Sequence, residues 1–437
     1  MRKQLIIISV TVILVISFIS GTTIKRKDFI SVNGLKLEYK GKPYYFAGVN
    51  FWYACYLGAT EEGRERLKKE LDTLNALGLT NLRILGASEK SDLIKSLKKT
   101  IQPEPGVYNE DILIGLDYAL AEIGKRNMHA VIFLNNYWQW SGGMAQYVNW
   151  TTGEKIPDPD IDNDWSAFIG YSGKFYQIPE AVELNRKYIK YLVTRINTVT
   201  GIPYYDDPAI MAWELCNEPR PGSWKTGNEN MDNFVRWIDE TAAFIHSLDK
   251  NHLVTTGSEG IRGCMDNDDY FVRAHSSKYI DYTNFHLWPK NWMWFNPLKP
   301  EATYETTEIK ATNYIKKHIR LSENLKKPIT FEEFGIDRDY AKLDPETPDT
   351  YRQKYFKSIY SQVTDSILNG ACLAGTNVWS WGGFGLPHNI SEIEDNPEAY
   401  VGDQLAEPQG MNTIYVSDTS TIKIICEHLS QIRKITE

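Results

Sequence analysis

Eight short apolar segments alternate with amphipathic segments along almost the whole chain, and this alternation limits the fold more than any other feature. The amphipathic segments, such as residues 61–78, 110–127, 182–197 and 229–249, repeat apolar residues every three or four positions, which is typical of helices packed on a core. Strands that are separated by helices pair in parallel, because parallel pairing needs a crossover connection. The apolar segments, which we predict to be strands, are residues 44–51, 81–85, 130–136, 210–218, 253–259, 282–288, 329–335 and 371–381.

Eight parallel strands are the number that closes a (β/α)8, or TIM, barrel. An open doubly wound sheet is the alternative, but the sequence lacks both the G-x-G-x-x-G turn and the P-loop of that class. Before the first barrel strand, Asn33-Gly34 and Gly41-Lys42 turns separate alternating apolar residues, which predicts a β-hairpin. We therefore predict one α/β domain over residues 26–437, a single barrel with an N-terminal β-hairpin and long active-face loops after its third, sixth and eighth strands.

Residues 1–25 carry a targeting pattern. Arg2 and Lys3 precede an apolar run over residues 5–19, and the small residues Ser20 and Gly21 follow it. This is typical of a signal peptide and is short for a membrane span, although a retained N-terminal anchor is the alternative. We therefore expect an exported protein, secreted, periplasmic or at the cell surface, without a stable membrane span and monomeric.

Charge and composition exclude some partners and favour others. The net charge of −8 argues against nucleic acid, which binds to basic surfaces. The five cysteines form neither a CxxC motif nor a Cys/His metal spacing, and we expect no metal and no cofactor. The 13 Trp, 26 Tyr and 16 Phe cluster in polar stretches such as "NNYWQWSGGMAQYVNW". Aromatic rings beside Asn, Gln and Gly are typical of a groove for a neutral, hydroxylated ligand.

Polar residues occur near the carboxyl ends of the predicted strands, where a barrel collects its catalytic groups. The fourth strand ends in Asn217 and Glu218, and the seventh carries Glu332 and Glu333. Taken singly, either glutamate is equally well explained as a structural ion pair. Two carboxylates with aromatic neighbours and without metal ligands, however, are what glycoside hydrolysis needs, one as proton donor and one as nucleophile or base. The other strands contribute Arg83, Glu259, His286, Trp288, Trp379 and Trp381.

Several stretches resemble a known family. "TGIPYYDDPAIMAWELCNEPR" followed by "TFEEFG" is similar to glycoside hydrolase family 5, whose retaining barrels carry two glutamates on strands four and seven. "LTNLRI", "GGMAQYVNW" and "LDKNHLVTTGSEG" resemble its endo-β-1,4-mannanase branch, and the resemblance covers nearly all of the chain after the targeting segment. It implies cofactor-free hydrolysis of a β-linked polysaccharide: mannan, glucomannan or galactomannan. A β-1,4-glucanase, an exo-β-mannosidase and a non-catalytic glycan-binding barrel are the alternatives.

The resemblance also assigns roles to the two glutamates and two of their neighbours. Glu218 matches the acid/base, whose surroundings should raise its pKa, and Glu333 matches the nucleophile. Arg83 matches the arginine that keeps the nucleophile ionised, and Asn217 matches the residue that binds the sugar 2-hydroxyl. A retaining enzyme implies carboxyl groups about 5–5.5 Å apart and a covalent glycosyl-enzyme on Glu333.

Further site residues follow from the same resemblance or from the aromatic stretches. His286 matches a histidine near the acid/base, and Trp379 matches the floor under the reacting sugar. The family commonly has His-x-Tyr where this chain has His286-Leu287-Trp288, so Trp288 either donates to the nucleophile through its indole N–H or forms only a wall. Strand alternation predicts that Glu332 points away from Glu333. We also expect Glu214 to pair with Arg83 inside the barrel, and Glu259 to support the site or contact substrate. The remaining groove candidates are Trp52, Asn136 and Trp138.

Overall fold

Three short antiparallel strands open the part of the chain that the structure, a computed structural model, describes: residues 28–387 and 396–436. The targeting pattern predicted over residues 1–25 lies outside these ranges. Ile30 and Leu37 pack with Phe46 and Met211 of the barrel strands, so this sheet covers the amino-terminal end of the barrel. The predicted hairpin is confirmed, with one additional strand. The strands are β1 (Ser31–Asn33), β2 (Lys36–Tyr39) and β3 (Lys42–Pro43).

All eight predicted barrel strands are present. They lie in one sheet of order β8-β7-β6-β5-β4-β11-β10-β9, and every neighbouring pair is parallel. The Asp281 amide donates to the Val254 carbonyl at 2.8 Å, which joins the two ends of the sheet and closes the barrel. The strands are β4 (Phe46–Asn50), β5 (Asn81–Leu85), β6 (His129–Phe133), β7 (Ile210–Glu214), β8 (Leu253–Thr255), β9 (Thr283–Leu287), β10 (Ile329–Phe334) and β11 (Leu373–Val378).

Helices follow most strands and cover the outside of the barrel. α2 shows why they form where they do: the Thr60 side chain accepts from the Gly63 amide at its start, and Gly78 with φ +82° ends it. None of the helices in the described ranges is long and apolar enough to cross a membrane. The helices are α1 (Ala54–Gly58), α2 (Glu61–Leu77), α3 (Glu110–Lys125), α4 (Gly143–Thr152), α5 (Pro159–Asp162), α6 (Trp165–Gly173), α7 (Pro179–Val193), α8 (Gly227–Leu248), α9 (Asp268–His275), α10 (Pro300–Leu325), α11 (Thr350–Leu368) and α12 (Thr419–Thr436).

Several strands end earlier than their apolar runs predict. β7 ends at Glu214, so Asn217 and Glu218 lie in the loop beyond the strand and not within it. β6 likewise ends at Phe133, three residues before Asn136. Apolar residues such as Leu215 and Cys216 continue into the core beyond the strand, and the Leu215 amide still donates to the Thr255 carbonyl of β8 at 2.9 Å. Asn217 and Glu218 therefore stand on a short loop above the barrel, held by backbone bonds to its neighbours, whereas Glu333 lies within β10.

The chain beyond β11 folds back over the carboxyl end of the barrel. β12 (Trp381–Gly383) pairs with β13 (Ile414–Tyr415), and residues 396–416, which we call the strap, lie on the active face. The buried Arg352 donates to the carbonyls of Met411 and Thr413, both at 2.7 Å. Asp403 accepts from the amides of Gly410 and Asn412. These buried bonds make the strap a fixed wall of the active face.

Candidate active site

Two glutamates face each other at the carboxyl end of the barrel. One oxygen of Glu218, one of Glu333 and one ring nitrogen of His286 all lie within 4.8 Å of one another. Retaining glycosidases place their carboxyl groups about 5–5.5 Å apart, whereas inverting enzymes separate them by about 6.5–9.5 Å to admit a water. The observed spacing therefore fits double displacement through a covalent intermediate.

The backbone of Glu218 is held in an uncommon conformation. Its φ is +52°, in the left-handed region that costs a non-glycine residue about 1–3 kcal/mol. The Glu218 amide donates to the Gly257 carbonyl at 2.8 Å, and the Asn217 amide donates to the Asn135 carbonyl at 2.9 Å. Bonds to the loops on both sides thus fix the strained turn and aim the carboxyl group into the site.

The carboxyl group of Glu218 is buried and has two polar partners. Oε2 accepts from the indole N–H of Trp138 at 2.6 Å, and Oε1 lies 2.7 Å from Nδ1 of His286. Burial lowers the pKa of His286 well below its usual value, so the imidazole is neutral at ordinary pH. Burial raises the pKa of Glu218, and Arg220 opposes that rise. The surroundings of Glu218 are those of a group that must hold and release a proton.

Glu333 lies in a ring of donors. Arg83 donates to its Oε1, and the Trp288 indole N–H lies 3.3 Å from its Oε2. The guanidinium also binds Glu214, with Nε 2.8 Å from Oε2, and reaches Oδ1 of Asn217 at 2.7 Å. The predicted pairing of Glu214 with Arg83 is thus confirmed, and Arg83 fixes three site side chains at once.

The charge of Glu333 depends on more than Arg83. Burial, Glu218 and Glu214 raise its pKa well above the usual value, while Arg83 lowers it. Two buried carboxyl groups this close share a proton, because both cannot be ionised at low cost. Arg83 touches Glu333 directly, whereas no guanidinium of the residues that the structure describes hydrogen-bonds to Glu218. We therefore place the shared proton on Glu218 and the negative charge on Glu333, beside Arg83.

The prediction for Glu332 was wrong. The register of β10 against β9 shifts between Phe331 and Glu333, which breaks strict alternation. Glu332 lies on the inner face with Thr330, two residues earlier, and accepts from the side chains of Asn284 and Thr330. The shift brings Glu333 onto the same inner face, where it pairs with His286. Burial raises the pKa of Glu332 to about 8. Glu332 is therefore a buried, hydrogen-bonded group beneath the site, and it does not line the cavity above it.

A cavity of about 500 Å³ lies over the two glutamates. Trp138, Trp288 and Trp379 line it, as the aromatic stretches led us to expect. Trp379 packs edge-on against Trp288, with ring centroids 6.1 Å apart. Trp288 both reaches Glu333 and forms a wall, so the two roles left open for it are compatible.

Two predicted groove residues lie below the cavity. Trp52 is buried, donates to the Gly402 carbonyl at 2.7 Å and packs against Tyr400 of the strap, so the prediction that it lines the groove was wrong. Asn136 is also buried, and its Oδ1 accepts from Nδ2 of Asn217 at 3.1 Å. Asn136 therefore orients Asn217 and does not contact a ligand itself.

Other residues in the cavity wall were not predicted. Arg220 belongs to the "NEPR" stretch, binds Glu259 and stacks over Trp138 at 4.9 Å, so its place in the motif was a usable signal. The loop after the eighth strand was expected on the active face, and the strap confirms this. The sequence did not show which strap residues line the cavity, because tertiary packing decides that. The additional wall residues include Lys290, Trp292, Gln404, Glu407 and Met411.

The triad of Glu218, His286 and Glu333 is also the only group in the described ranges whose ligand atoms could surround a metal ion. The donors already in place argue for another use. Arg83 occupies one oxygen of Glu333, and a guanidinium next to a cation would be repelled. Trp138 occupies one oxygen of Glu218. The donor set therefore fits a proton-transfer pair and not a cation site.

The ion pair of Arg220 and Glu259 should tune the acid/base. We expect Arg220→Gln to move the alkaline limb of kcat/KM to higher pH, because the Arg220 charge lowers the pKa of Glu218 and activity is lost as pH rises through that pKa. Glu259→Gln should move the same limb to lower pH, because the charge of Glu259 repels the ionised form of Glu218. The substitution also leaves the Arg220 charge without its partner, so Arg220 lowers the pKa of Glu218 further. Shifts in one common direction would contradict this arrangement.

A TIM barrel with a buried carboxylate pair of this spacing, in a cavity walled by tryptophan, defines the protein as a glycoside hydrolase. The family model described as "GH family 5 beta-mannosidase-like" matches residues 27–437. The chain therefore belongs to glycoside hydrolase family 5, in its β-mannosidase-like group, and the resemblance noted in the sequence is confirmed.

Individual relatives agree with this assignment. The chain is 30% identical over 366 residues to a protein named mannan endo-1,4-β-mannosidase 5 from Solanum lycopersicum, covering 81% of each chain. It is 27% identical over 455 residues to putative mannan endo-1,4-β-mannosidase 4 from Arabidopsis thaliana, covering 100% of this chain and 99% of the relative. It also resembles the crystal structure of a family 5 mannosidase from Rhizomucor miehei, with a TM-score of 0.85, 31% identity and coverage of 94% and 99%.

Proposed function

We propose that this protein is a retaining endo-β-1,4-mannanase that hydrolyses internal β-1,4-mannosidic bonds of mannan, glucomannan or galactomannan. The observation that carries the proposal is the buried pair of Glu218 and Glu333, with oxygens within 4.8 Å, beneath a tryptophan-walled cavity. The names of the relatives from Solanum lycopersicum and Arabidopsis thaliana support mannan as the substrate. Aromatic walls suit a neutral sugar chain, which offers both C–H faces and hydroxyl groups.

In the first step Glu333 attacks the anomeric carbon while Glu218 gives its proton to the leaving oxygen. The bond to the leaving sugar breaks and a bond from Glu333 to carbon 1 forms, so the leaving chain departs as an alcohol. In the second step Glu218, now ionised, takes a proton from water, and the resulting hydroxide displaces Glu333 with net retention. Arg83 and Trp288 hold Glu333 in position for attack, and neutral His286 holds Glu218.

Three side chains are placed to bind the reacting sugar. Asn217 lies beside Glu218 in the cavity, fixed by Arg83 and Asn136, and would bind the 2-hydroxyl. That contact strengthens in the transition states of glycosidases. Trp379 would form the floor under the sugar ring, and Trp288 the adjoining wall.

Exo-β-mannosidase action is a second candidate, and the strap favours it. The cavity lining includes no residue of 44–108, among the residues that the structure describes, because Tyr400 stacks on Tyr53 and Tyr56 and covers that side. Gln404, Glu407 and Met411 of the strap line the cavity instead. The similar structure from Rhizomucor miehei is named a mannosidase. A cavity closed on one side would accept the end of a chain and release mannose units singly.

Product analysis separates these functions. The protein should hydrolyse linear mannan, glucomannan or galactomannan, and short mannooligosaccharides should appear early in the chromatogram if cleavage is internal. Mannose as the sole early product would establish the second candidate. Activity confined to β-1,4-glucan would overturn the mannan assignment while keeping the mechanism. No hydrolysis of any β-glycan, with binding retained, would identify a glycan-binding barrel.

We also propose that the protein is exported and acts as a monomer on extracellular or periplasmic polysaccharide. The basic and apolar pattern of residues 1–25 supports export. Polysaccharides of this kind lie outside the cytoplasm, which is consistent with an exported enzyme.

A further inference from the structure

Two exposed tryptophans border the cavity on the side of the acid/base. Of the tryptophans in the described ranges, only Trp165 and Trp224 expose more than a third of their surface, 41% and 56%. Exposed indole rings leave a large apolar area in water, and such area at the mouth of a site marks a ligand contact. Trp165 lines the cavity itself, so the patch is continuous with the catalytic centre.

The two rings are carried by segments that pack on each other. Trp165 begins α6, and Trp224 lies in the loop between β7 and α8. A Cβ placed on Gly170 of α6 would lie 3.5 Å from Oγ of Ser223, so the helix and the loop are in direct contact. The Ser223 amide also donates to Oγ1 of Thr226 at 3.1 Å, which fixes the turn around Trp224.

Arg262 joins the Trp224 ring to the cavity wall. Its guanidinium lies 5.5 Å from the Trp224 ring and 5.9 Å from the Trp292 ring, and it also lines the cavity. Asp266 binds Arg262 at 2.6 Å and neutralises its charge. The outer platform, defined as Trp165, Trp224 and Arg262, is therefore preorganised and close to neutral. These properties suit an uncharged sugar chain and not a polyanion.

The platform lies on the leaving-group side. Glu218 must stand next to the bond whose oxygen it protonates, and Trp138 contacts Glu218 directly. Trp165 packs edge-on against Trp138 at 6.1 Å, one ring farther out along the same wall. On the opposite side strap residues form the wall of the cavity. A substrate chain can therefore extend past Trp165 toward Trp224.

We propose that the outer platform binds sugar units of the leaving part of the mannan chain, so that Trp165 and Trp224 set a preference for long leaving groups. This rests on the proposed function, and it holds for internal and for end-on cleavage alike. Each ring should contribute roughly 3- to 10-fold to kcat/KM on long substrates, the range of aromatic contacts.

The test compares mannohexaose with mannotriose, using Trp165→Ala, Trp224→Ala and the double variant. The ratio of kcat/KM for the hexaose to that for the triose should fall roughly 3- to 10-fold in each single variant, mainly through KM, and further in the double variant. Tyr340→Ala is the matched control, because Tyr340 is 51% exposed and does not line the cavity. An unchanged ratio in the double variant would overturn the proposal.

Failure of the proposed function would look different. If the wild-type protein cleaves neither oligosaccharide, calorimetric titration with mannohexaose still decides the question. Weaker binding by the double variant than by wild type and Tyr340→Ala would support the platform. Equal affinities, or no binding by wild type, would overturn it.

Discussion

Glu333→Ala and Glu218→Ala should each abolish mannan hydrolysis, and azide should distinguish the two variants by the product that it forms. Loss of a nucleophile is expected to lower kcat on the order of 10⁵-fold. Loss of a general acid costs about 10²–10⁴-fold, and most for substrates with poor leaving groups. Both effects follow from the geometry, because each carboxyl group is held by its own partners. Trp138 and His286 contact Glu218, and Arg83 and Trp288 contact Glu333.

Azide is small enough to occupy the space of a deleted carboxylate. In Glu333→Ala it should attack an activated aryl β-mannoside directly and yield the α-mannosyl azide. In Glu218→Ala it should attack the glycosyl-enzyme on Glu333 and yield the β-mannosyl azide. Glu332→Gln is the matched control, since this neighbouring carboxyl group lies beneath the site, bonded to Asn284 and Thr330. It should give no azide product. The opposite anomers would require that the two roles be exchanged.

The sequence was sufficient for the architecture and for the catalytic pair, for separate reasons. Strands and helices differ in the spacing at which apolar residues repeat, so the sequence shows where each lies. Eight strands that alternate with helices already indicate a barrel. Glu218 follows the end of β7 and Glu333 lies near the end of β10, and the carboxyl ends of the strands converge in a barrel. The roles of Glu218, Glu333, Arg83 and His286 came from the family that their motifs resemble.

The failures have tertiary causes. Trp52 is removed from the groove by a bond to Gly402, 350 residues later in the chain, and no local pattern reports such a contact. Glu332 and Glu333 share the inner face of the barrel because β10 shifts register by one residue before Glu333, which periodicity cannot reveal. The loop after the eighth strand was expected on the active face, but the entry of Glu407 and Met411 into the cavity depends on the buried Arg352, which fixes the course of the strap. Contacts between distant segments decide each of these three positions.

Arg83→Met should affect both stability and the pH dependence of activity. The guanidinium is fully buried and joins Glu214 to Glu333, so its loss leaves two carboxyl groups unpaired in the core. Breaking such a buried pair costs about 3–5 kcal/mol of unfolding free energy. Arg83 lowers the pKa of Glu333, which must be ionised to attack. Activity is lost as pH falls through that pKa, so the acid limb of kcat/KM should move to higher pH in the variant.

A second buried arginine separates the two effects. Arg195, in the loop after α7, forms a bidentate pair with Asp117 of α3, with both N–O distances 2.9 Å, and neither residue lines the cavity. Arg195→Met should lower the melting temperature comparably and leave the acid limb of kcat/KM in place.

Arg83→Lys keeps the positive charge but loses the two-pronged geometry of the guanidinium. It should shift the acid limb less than Arg83→Met does. If the acid limb of kcat/KM moved equally in Arg83→Met and Arg195→Met, loss of stability would explain the shift, and Arg83 would not control the ionisation of Glu333. A shift confined to the Arg83 variants can arise only from the charge that touches the nucleophile.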